Sequence, residues 1–318
     1  EWLSKGRVGY ADIAEGIASS EFYNAVAIQN DRPLERDDSD WRTDLWRRGS
    51  QWNLVAAGDP ILLAHSANAT FAYALGDATN LYNSANEKVT DVAHASRAIL
   101  WLKPDHIVVY DRAETKTAGR FKRWWLQLPR PATISGARAT MQTAAGQQLF
   151  VSALLPANAV MTAANDNEQH IEDTAAGNDP MKVRLRVDAP GDPRAARFLH
   201  VLQGADPGAS ADPAAVIRSE DGMFEGAVAH GAAVLFPVTL GAPMTQMAYV
   251  VPADVSRHLI TGLTPGAGYT AQTAPVPGGI RVTLQAGGPQ NADSGGVLLI
   301  GRGAAGVDAL AYLPHIAP

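Results

Sequence analysis

Arg97–Ala98–Ile99–Leu100–Trp101–Leu102–Lys103–Pro104–Asp105–His106–Ile107–Val108–Val109–Tyr110–Asp111–Arg112 reads as a β-hairpin. Two runs rich in β-branched and aromatic residues flank Lys103–Pro104–Asp105, where proline presets φ for a tight turn and aspartate closes it with a side-chain bond. Outward from this hairpin the same texture continues. Runs at 25–29, 61–64, 70–75 and 119–128 complete a first set of strands with 96–102 and 106–112. A second set at 148–155, 183–187, 197–202, 226–230, 232–238 and 246–251 keeps reversing direction. His230–Gly231 joins two of these runs as a natural two-residue turn, since glycine accepts positive φ without steric cost. Many short strands separated by Gly, Pro, Asn and Asp clusters specify an all-β protein, and the spacing specifies a large antiparallel β-sandwich of supersandwich type.

The expected organisation is an N-terminal segment over 1–24, a loop or short helix, then a β-sandwich over 25–255. The stretch 256–318 is expected to form a small C-terminal β meander, a sub-domain or the sandwich edge, with three short strands between 259 and 301. The Ala/Asp/Pro-rich segment 204–215 reads as a loop. At 318 residues the chain can bury one large core or two modest ones.

Composition excludes several functions. With 26 basic against 32 acidic residues and a net charge of −6, the chain lacks the clustered cations that a phosphate backbone demands, so nucleic acid is not an expected partner. No apolar run approaches the ~18 residues of a membrane-spanning helix, so no membrane partner is expected either. Cysteine is absent, which removes disulfides, thiolate nucleophiles and Cys-ligated zinc. There is no Gly-x-Ser-x-Gly elbow for an α/β-hydrolase. The eight histidines are dispersed and none lies in a His-x-His or His-Glu-x-x-His spacing, so neither a metal nor another cofactor is expected. The oxygen-rich run Asn165–Asp166–Asn167–Glu168 lacks the register of a calcium loop and reads as a solvated acidic loop. His200, within an apolar strand, is expected to be half-buried and hydrogen-bonded; His65 is placed at a strand end.

One charged segment admits two readings. Residues 31–48 hold Arg36, Arg42 and Arg47 beside Trp41 and Trp46. Indole faces stack on pyranose rings and Arg forks hold uronate carboxylates, which suits a sugar-binding cleft; a solvated loop anchored by its tryptophans fits the same residues. In Phe121–Lys122–Arg123–Trp124–Trp125, strand alternation puts Lys122 and Trp124 on one face and Phe121, Arg123 and Trp125 on the other, so one face can be core and one exposed.

Several segments resemble, in order, the sandwich of heparinase II/III-like proteins. Tyr23–Asn24–Ala25–Val26–Ala27–Ile28–Gln29–Asn30–Asp31 is similar to its opening strand, which a His-Asn pair precedes. Phe71 to Tyr82 is similar to its Gly-Asp-Ala-Thr…Tyr segment, and the hairpin above resembles its most recognisable feature. Lys122–Arg123–Trp124, Leu154–Leu155–Pro156 and Phe198–Leu199–His200–Val201–Leu202 follow in the same order. The resemblance covers roughly residues 20 to 250 and implies the C-terminal β-sandwich portion of a polysaccharide lyase. Such an enzyme cleaves an acidic polysaccharide by β-elimination, abstracting the proton α to a uronate carboxylate, and needs a base, an acid and a group that neutralises the carboxylate. The resemblance also implies an N-terminal helical domain or chain as partner and a secreted or periplasmic location; the chain begins at Glu1 rather than Met, and upstream sequence is expected. Tyr23 stands where the family often has a histidine that in some members ligates a metal, so a metal is not carried over. Tyr23 and Tyr10 become the candidate catalytic groups, with Asn24, Arg36, Trp41, Arg42, Trp46 and Arg47 as candidate substrate-binding residues. A non-catalytic carbohydrate-binding or structural module is the alternative.

Overall fold

The structure, a computed structural model, describes residues 20, 23–30, 49–51, 60–85, 88–165, 183–302 and 310–312. In chain order the strands are β1 (Val26–Ile28), β2 (Ile61–Ala67), β3 (Phe71–Asp77), β4 (Val92–Leu102), β5 (His106–Thr115), β6 (Lys122–Leu128), β7 (Ala132–Ser135), β8 (Arg138–Gln142), β9 (Gln148–Leu155), β10 (Val160–Asn165) and β11 (Val183–Asp188). They continue with β12 (Ala195–Ala205), β13 (Ala214–Arg218), β14 (Phe224–Ala229), β15 (Ala232–Pro237), β16 (Gln246–Val251), β17 (Arg257–Ile260), β18 (Gly268–Val276), β19 (Gly279–Ala286), β20 (Gln290–Asn291), β21 (Leu298–Arg302) and β22 (Leu310–Tyr312). Among the described residues α-helix is confined to one turn, α1 (Thr79–Tyr82).

These strands form four sheets, ordered β1-β6-β11-β10, β2-β3-β4-β5-β12-β9-β8-β7, β13-β14-β15-β17-β21-β22 and β16-β19-β18-β20. The all-β expectation holds, and pairing is antiparallel apart from β15 with β17. The sheets stack, with three apolar cores between them. Trp124, Leu126, Leu185 and Val187 of the first sheet meet Ala113, Val151 and Phe198 of the second. The opposite face of the second sheet, with Leu100, Val108 and Tyr110, meets Ala227, Val234 and Phe236 of the third. Tyr110 and Phe236 stack at 5.1 Å across that core. The third sheet turns Ala233, Leu235 and Ile260 to Tyr249, Val282 and Leu284 of the fourth. Strand alternation therefore feeds two cores from one strand: β15 is buried at all six positions because odd and even residues face different sheets.

The 255/256 division falls between β16 and β17, and strands from both sides share the third and fourth sheets. Among the described residues seven strands lie beyond the expected ones: β7, β8, β10 and β13 extend or edge the sheets, and the region after 256 holds six strands, β17 to β22, where three were expected; β13 takes Ala214 and Ala215 from the expected loop, leaving 206–213 as the connection. The acidic run after Asn165 lies outside the described residues.

The 230–231 turn carries its predicted chemistry. His230 and Gly231 both have positive φ, 48° and 65°, the pattern of a two-residue hairpin. Gly226 serves another purpose, since a Cβ there would press on the carbonyl oxygen of Val234 in β15. Gly226→Ala therefore forces β14 and β15 apart, with an expected loss of about 1–3 kcal/mol. Urea unfolding checks this; a midpoint equal to wild type would mean the two strands are not held as closely as described.

Candidate functional site

The second sheet is covered by the first over only part of its face. On β4, Arg97, Ile99 and Trp101 alternate with core-facing Ala98, Leu100 and Leu102, and so share one side. Beside them on β3 stand Gly76, Ala74 and Ala72, and on β2 His65 pairs with Ala74. Small residues on β3 keep this strip shallow, while Ile99 and Trp101 remain 40% and 41% exposed. The Trp101 indole is fixed by Nε1 donating to the Pro104 carbonyl at 2.9 Å. Lys103 Nζ lies 5.4 Å from its ring centroid and donates to the Asn68 carbonyl at 2.7 Å. An apolar plate with an ammonium beside it can stack on the C–H face of a sugar ring while attracting its carboxylate.

At the inner end of the strip Arg97 forks onto Asp111, Nε to Oδ1 at 2.5 Å and Nη2 to Oδ2 at 3.1 Å, and Nη1 also donates to the Asn24 carbonyl. Asp111 is buried, and burial raises its carboxyl above the usual carboxylate range against the opposing pull of Arg97. Behind the pair, His200 on β12 stacks on Trp124 with centroids 3.8 Å apart. The expectation for His200 is corrected here: the ring is fully buried and neither nitrogen makes a hydrogen bond. Burial, with a smaller push from Arg97, lowers its pKa to about 3, so it stays neutral.

Tyr23 and Asn24 enter this region together, as the last turn before β1. Tyr23 is half-buried, its N–H donating to the Ser20 carbonyl at 3.2 Å. Asn24 Oδ1 accepts the backbone N–H of Gln127 at 2.7 Å, prolonging the β1–β6 ladder with a side chain. Tyr10, Arg36, Trp41, Arg42, Trp46 and Arg47 lie outside the described residues. His65 sits within β2 rather than at its end, and is exposed. Neither face of β6 is open at its tryptophans: Trp124 and Trp125 are both buried, with Arg184 and Arg186 over the Trp125 ring at 5.5 and 5.8 Å.

The Gly-Asp-Ala-Thr…Tyr segment proves to be a knot of the fold. Asp77 Oδ1 accepts the Thr79 N–H, Thr79 Oγ1 accepts the Ala95 N–H at 2.9 Å, and the Tyr82 phenol donates to the Val26 carbonyl. Burial drives that phenol up to about 12, so Tyr82 is a tether and not a base. A second buried acid, Glu225, accepts Tyr110 Oη at 2.8 Å and pairs with Arg197 and Arg218 between the second and third sheets. Sequence reading passed over Trp101 because it sits in a strongly apolar strand; its alternation with Leu100 and Leu102 is the signal that could have placed it on the open face. Among the described residues, those of metal-ligating type that converge are Asp105, His106 and His230.

No protein-family profile matches the chain, and no curated protein does. The chain is similar in part to a heparan sulfate lyase and to heparinase III. With the heparan sulfate lyase from Pedobacter heparinus the identity is 11%, covering 66% of this chain and 34% of that one, at a TM-score of 0.45. With heparinase III it is 9%, covering 76% and 29%, at a TM-score of 0.47. The chain thus spans about a third of the length of these structures.

Proposed function

We propose that this chain is the β-sandwich portion of a heparinase II/III-like polysaccharide lyase, secreted or periplasmic, that forms one wall of a cleft for a uronate-containing polysaccharide and works with a helical domain. The observation that carries the reading is the open strip of the second sheet, where exposed Trp101 with Lys103 beside it lies in line with Ile99 and Arg97. Flat, apolar and edged by cations, such a strip matches the alternating C–H faces and carboxylates of an acidic glycan. Tyr23 is the proposed base, taking the proton α to the carboxylate as the glycosidic oxygen leaves and a C=C bond forms; Tyr10 is a second candidate. Asn24 with Arg36, Trp41, Arg42, Trp46 and Arg47 is proposed to hold the sugar.

Absorbance of unsaturated uronate, followed while the chain is incubated with heparan, chondroitin, alginate and pectic substrates, tests the reading. A rising signal that Tyr23→Phe abolishes supports elimination with its base in this chain. Trp101→Ala is expected to weaken polysaccharide binding about tenfold, equivalent to about 1.4 kcal/mol, in calorimetry. Binding that Trp101→Ala leaves unchanged would remove the strip as the substrate wall. A non-catalytic carbohydrate-binding module is the second reading, favoured by two commitments: the Asn24 amide oxygen is taken by Gln127 and the Arg97 fork by Asp111. Under it the same titration gives binding without absorbance.

A further inference from the structure

Two histidines that the sequence holds far apart lie face to face at one end of the stack. His106 opens β5 directly after the 103–105 turn, and His230 stands in the β14–β15 turn; their rings stack at 4.4 Å, inclined by 26°. Asp212, in the connection between β12 and β13, reaches the same place. Its backbone N–H is fixed by Gln203 Oε1 at 2.7 Å, and Gln203 pairs with His106 across the β5–β12 ladder. Three separate connections, from the second and third sheets, thus bring their side chains together.

The hydrogen-bond pattern at His106 leaves one buried ring nitrogen without a partner. Asp105 Oδ1 lies 2.7 Å from His106 Nδ1, and a carboxylate there keeps the ring proton on Nδ1. In that tautomer Nε2 presents a lone pair. It lies 3.2 Å from Asp212 Oδ2 without forming a hydrogen bond, on a side chain only 1% exposed. The same carboxylate oxygen is hydrogen-bonded with His230 Nδ1 at 3.2 Å. Two acceptors facing each other as His106 Nε2 and Asp212 Oδ2 do repel unless a positive centre stands between them.

We propose that His106 Nε2, Asp212 Oδ2 and His230 Nδ1 ligate a divalent cation of borderline softness, zinc by preference, with Asp105 as a positioning residue. Asp212 Oδ2 lies 3.2 Å from each of the two nitrogens, and ligand atoms ~2.0–2.2 Å from a tetrahedral zinc are separated by about 3.3 Å; Asp105, His106 and His230 in turn bring ligand atoms within 4.8 Å of one another. Two imidazoles with one carboxylate favour zinc over calcium or magnesium, which take all-oxygen sets. Asp105 on the far nitrogen of His106 is the partner that commonly fixes tautomer and ring orientation in zinc sites. The carboxylates of Asp105 and Asp212 balance the added charge. Asp212 and His230 side chains are 41% and 38% exposed, so the ion can reach the site from solvent. The bound ion would pin the β4–β5 turn of the second sheet to the β14–β15 turn of the third. This departs from the reading of the dispersed histidines, which rested on sequence spacing alone.

The test is calorimetric titration of the chelator-treated, dialysed chain with zinc, accompanied by thermal melting. One equivalent is expected to bind saturably and to raise Tm, with no competition from excess calcium or magnesium. His230→Ala and Asp212→Asn, both at half-exposed positions, are expected to abolish that binding with unchanged circular dichroism, and Asp105→Asn to weaken it about 10–100-fold. Absent saturable binding, or binding that survives both substitutions, overturns the proposal. So does an imidazole 15N spectrum showing His106 protonated on both nitrogens at neutral pH and unmoved by zinc, which would mean that a proton bridges the carboxylates.

Discussion

Arg97→Ala is expected to lower stability by about 3–5 kcal/mol, a loss out of proportion to a side chain that is itself partly exposed. The cause lies in what the substitution leaves behind. Asp111 is 2% exposed and its two oxygens are held by the Arg97 fork, so removing the guanidinium strands a carboxylate in the core. Arg97 also bonds the Asn24 carbonyl and so ties the entrance of β1, in the first sheet, to β4 in the second. Lysine cannot reproduce a two-pronged contact, and Arg97→Lys should recover only part of the loss. Adding Asp111→Asn to Arg97→Ala removes the stranded charge and should restore more. The sign of the pH dependence follows from the raised carboxyl. Burial already lifts Asp111 above its unfolded value, and loss of Arg97 lifts it further. The folded variant therefore holds a proton that the unfolded chain releases, and its deficit grows as pH rises from acid toward neutral. Urea unfolding at several pH values measures this; a loss below about 1 kcal/mol would place the pair with ordinary surface ion pairs.

The protein should also weaken in acid because of His200. Its pKa is lowered to about 3 in the folded state by burial and Arg97, whereas an unfolded histidine titrates near ~6.5. Above the unfolded value neither state is protonated and the residue adds no pH dependence. As pH falls below it, the unfolded chain takes up a proton that the folded chain refuses. Stability then declines by about 2 kcal/mol at pH 5 and about 4 kcal/mol at pH 3. Other groups titrate in this range, so the comparison is with His200→Phe, which keeps an aromatic ring against Trp124 and removes two unpaired nitrogens. The variant should match or exceed wild type at pH 7 and lose less stability on acidification. Parallel pH profiles for the two proteins would show that His200 is protonated in the folded state or finds a partner there.

Both effects bear on what could be read from the sequence. Strands such as β5, β12 and β15 were legible because burial on two faces makes them nearly continuous runs of apolar and aromatic residues. β7 and β8 were not, since they alternate half-exposed Thr, Ala and Arg positions at the sheet edge, where the apolar signal is weak. The turns were legible from residue chemistry alone, as at His230–Gly231. The site was legible only in part. Tyr23 and Asn24 were marked through a resemblance, whereas Trp101, Arg97 and Asp111 looked like ordinary members of an apolar hairpin. That Asp111 would be buried under an arginine, or that His106 and His230 would stack, depends on which strands become neighbours. Periodicity does not encode that.

The order of the layers follows the order of the chain. All strands of the first two sheets lie before residue 206, and all strands of the last two lie after 213. A chain leaving the ribosome can therefore complete its first two layers while Leu100, Val108 and Tyr110 still wait for Val234 and Phe236 to be synthesised. Until then one side of the eight-stranded sheet is an oily plate open to whatever it meets. For this protein the hazardous moment of biogenesis is that interval, when a chaperone or a slow stretch of translation across 206–213 would have its greatest effect.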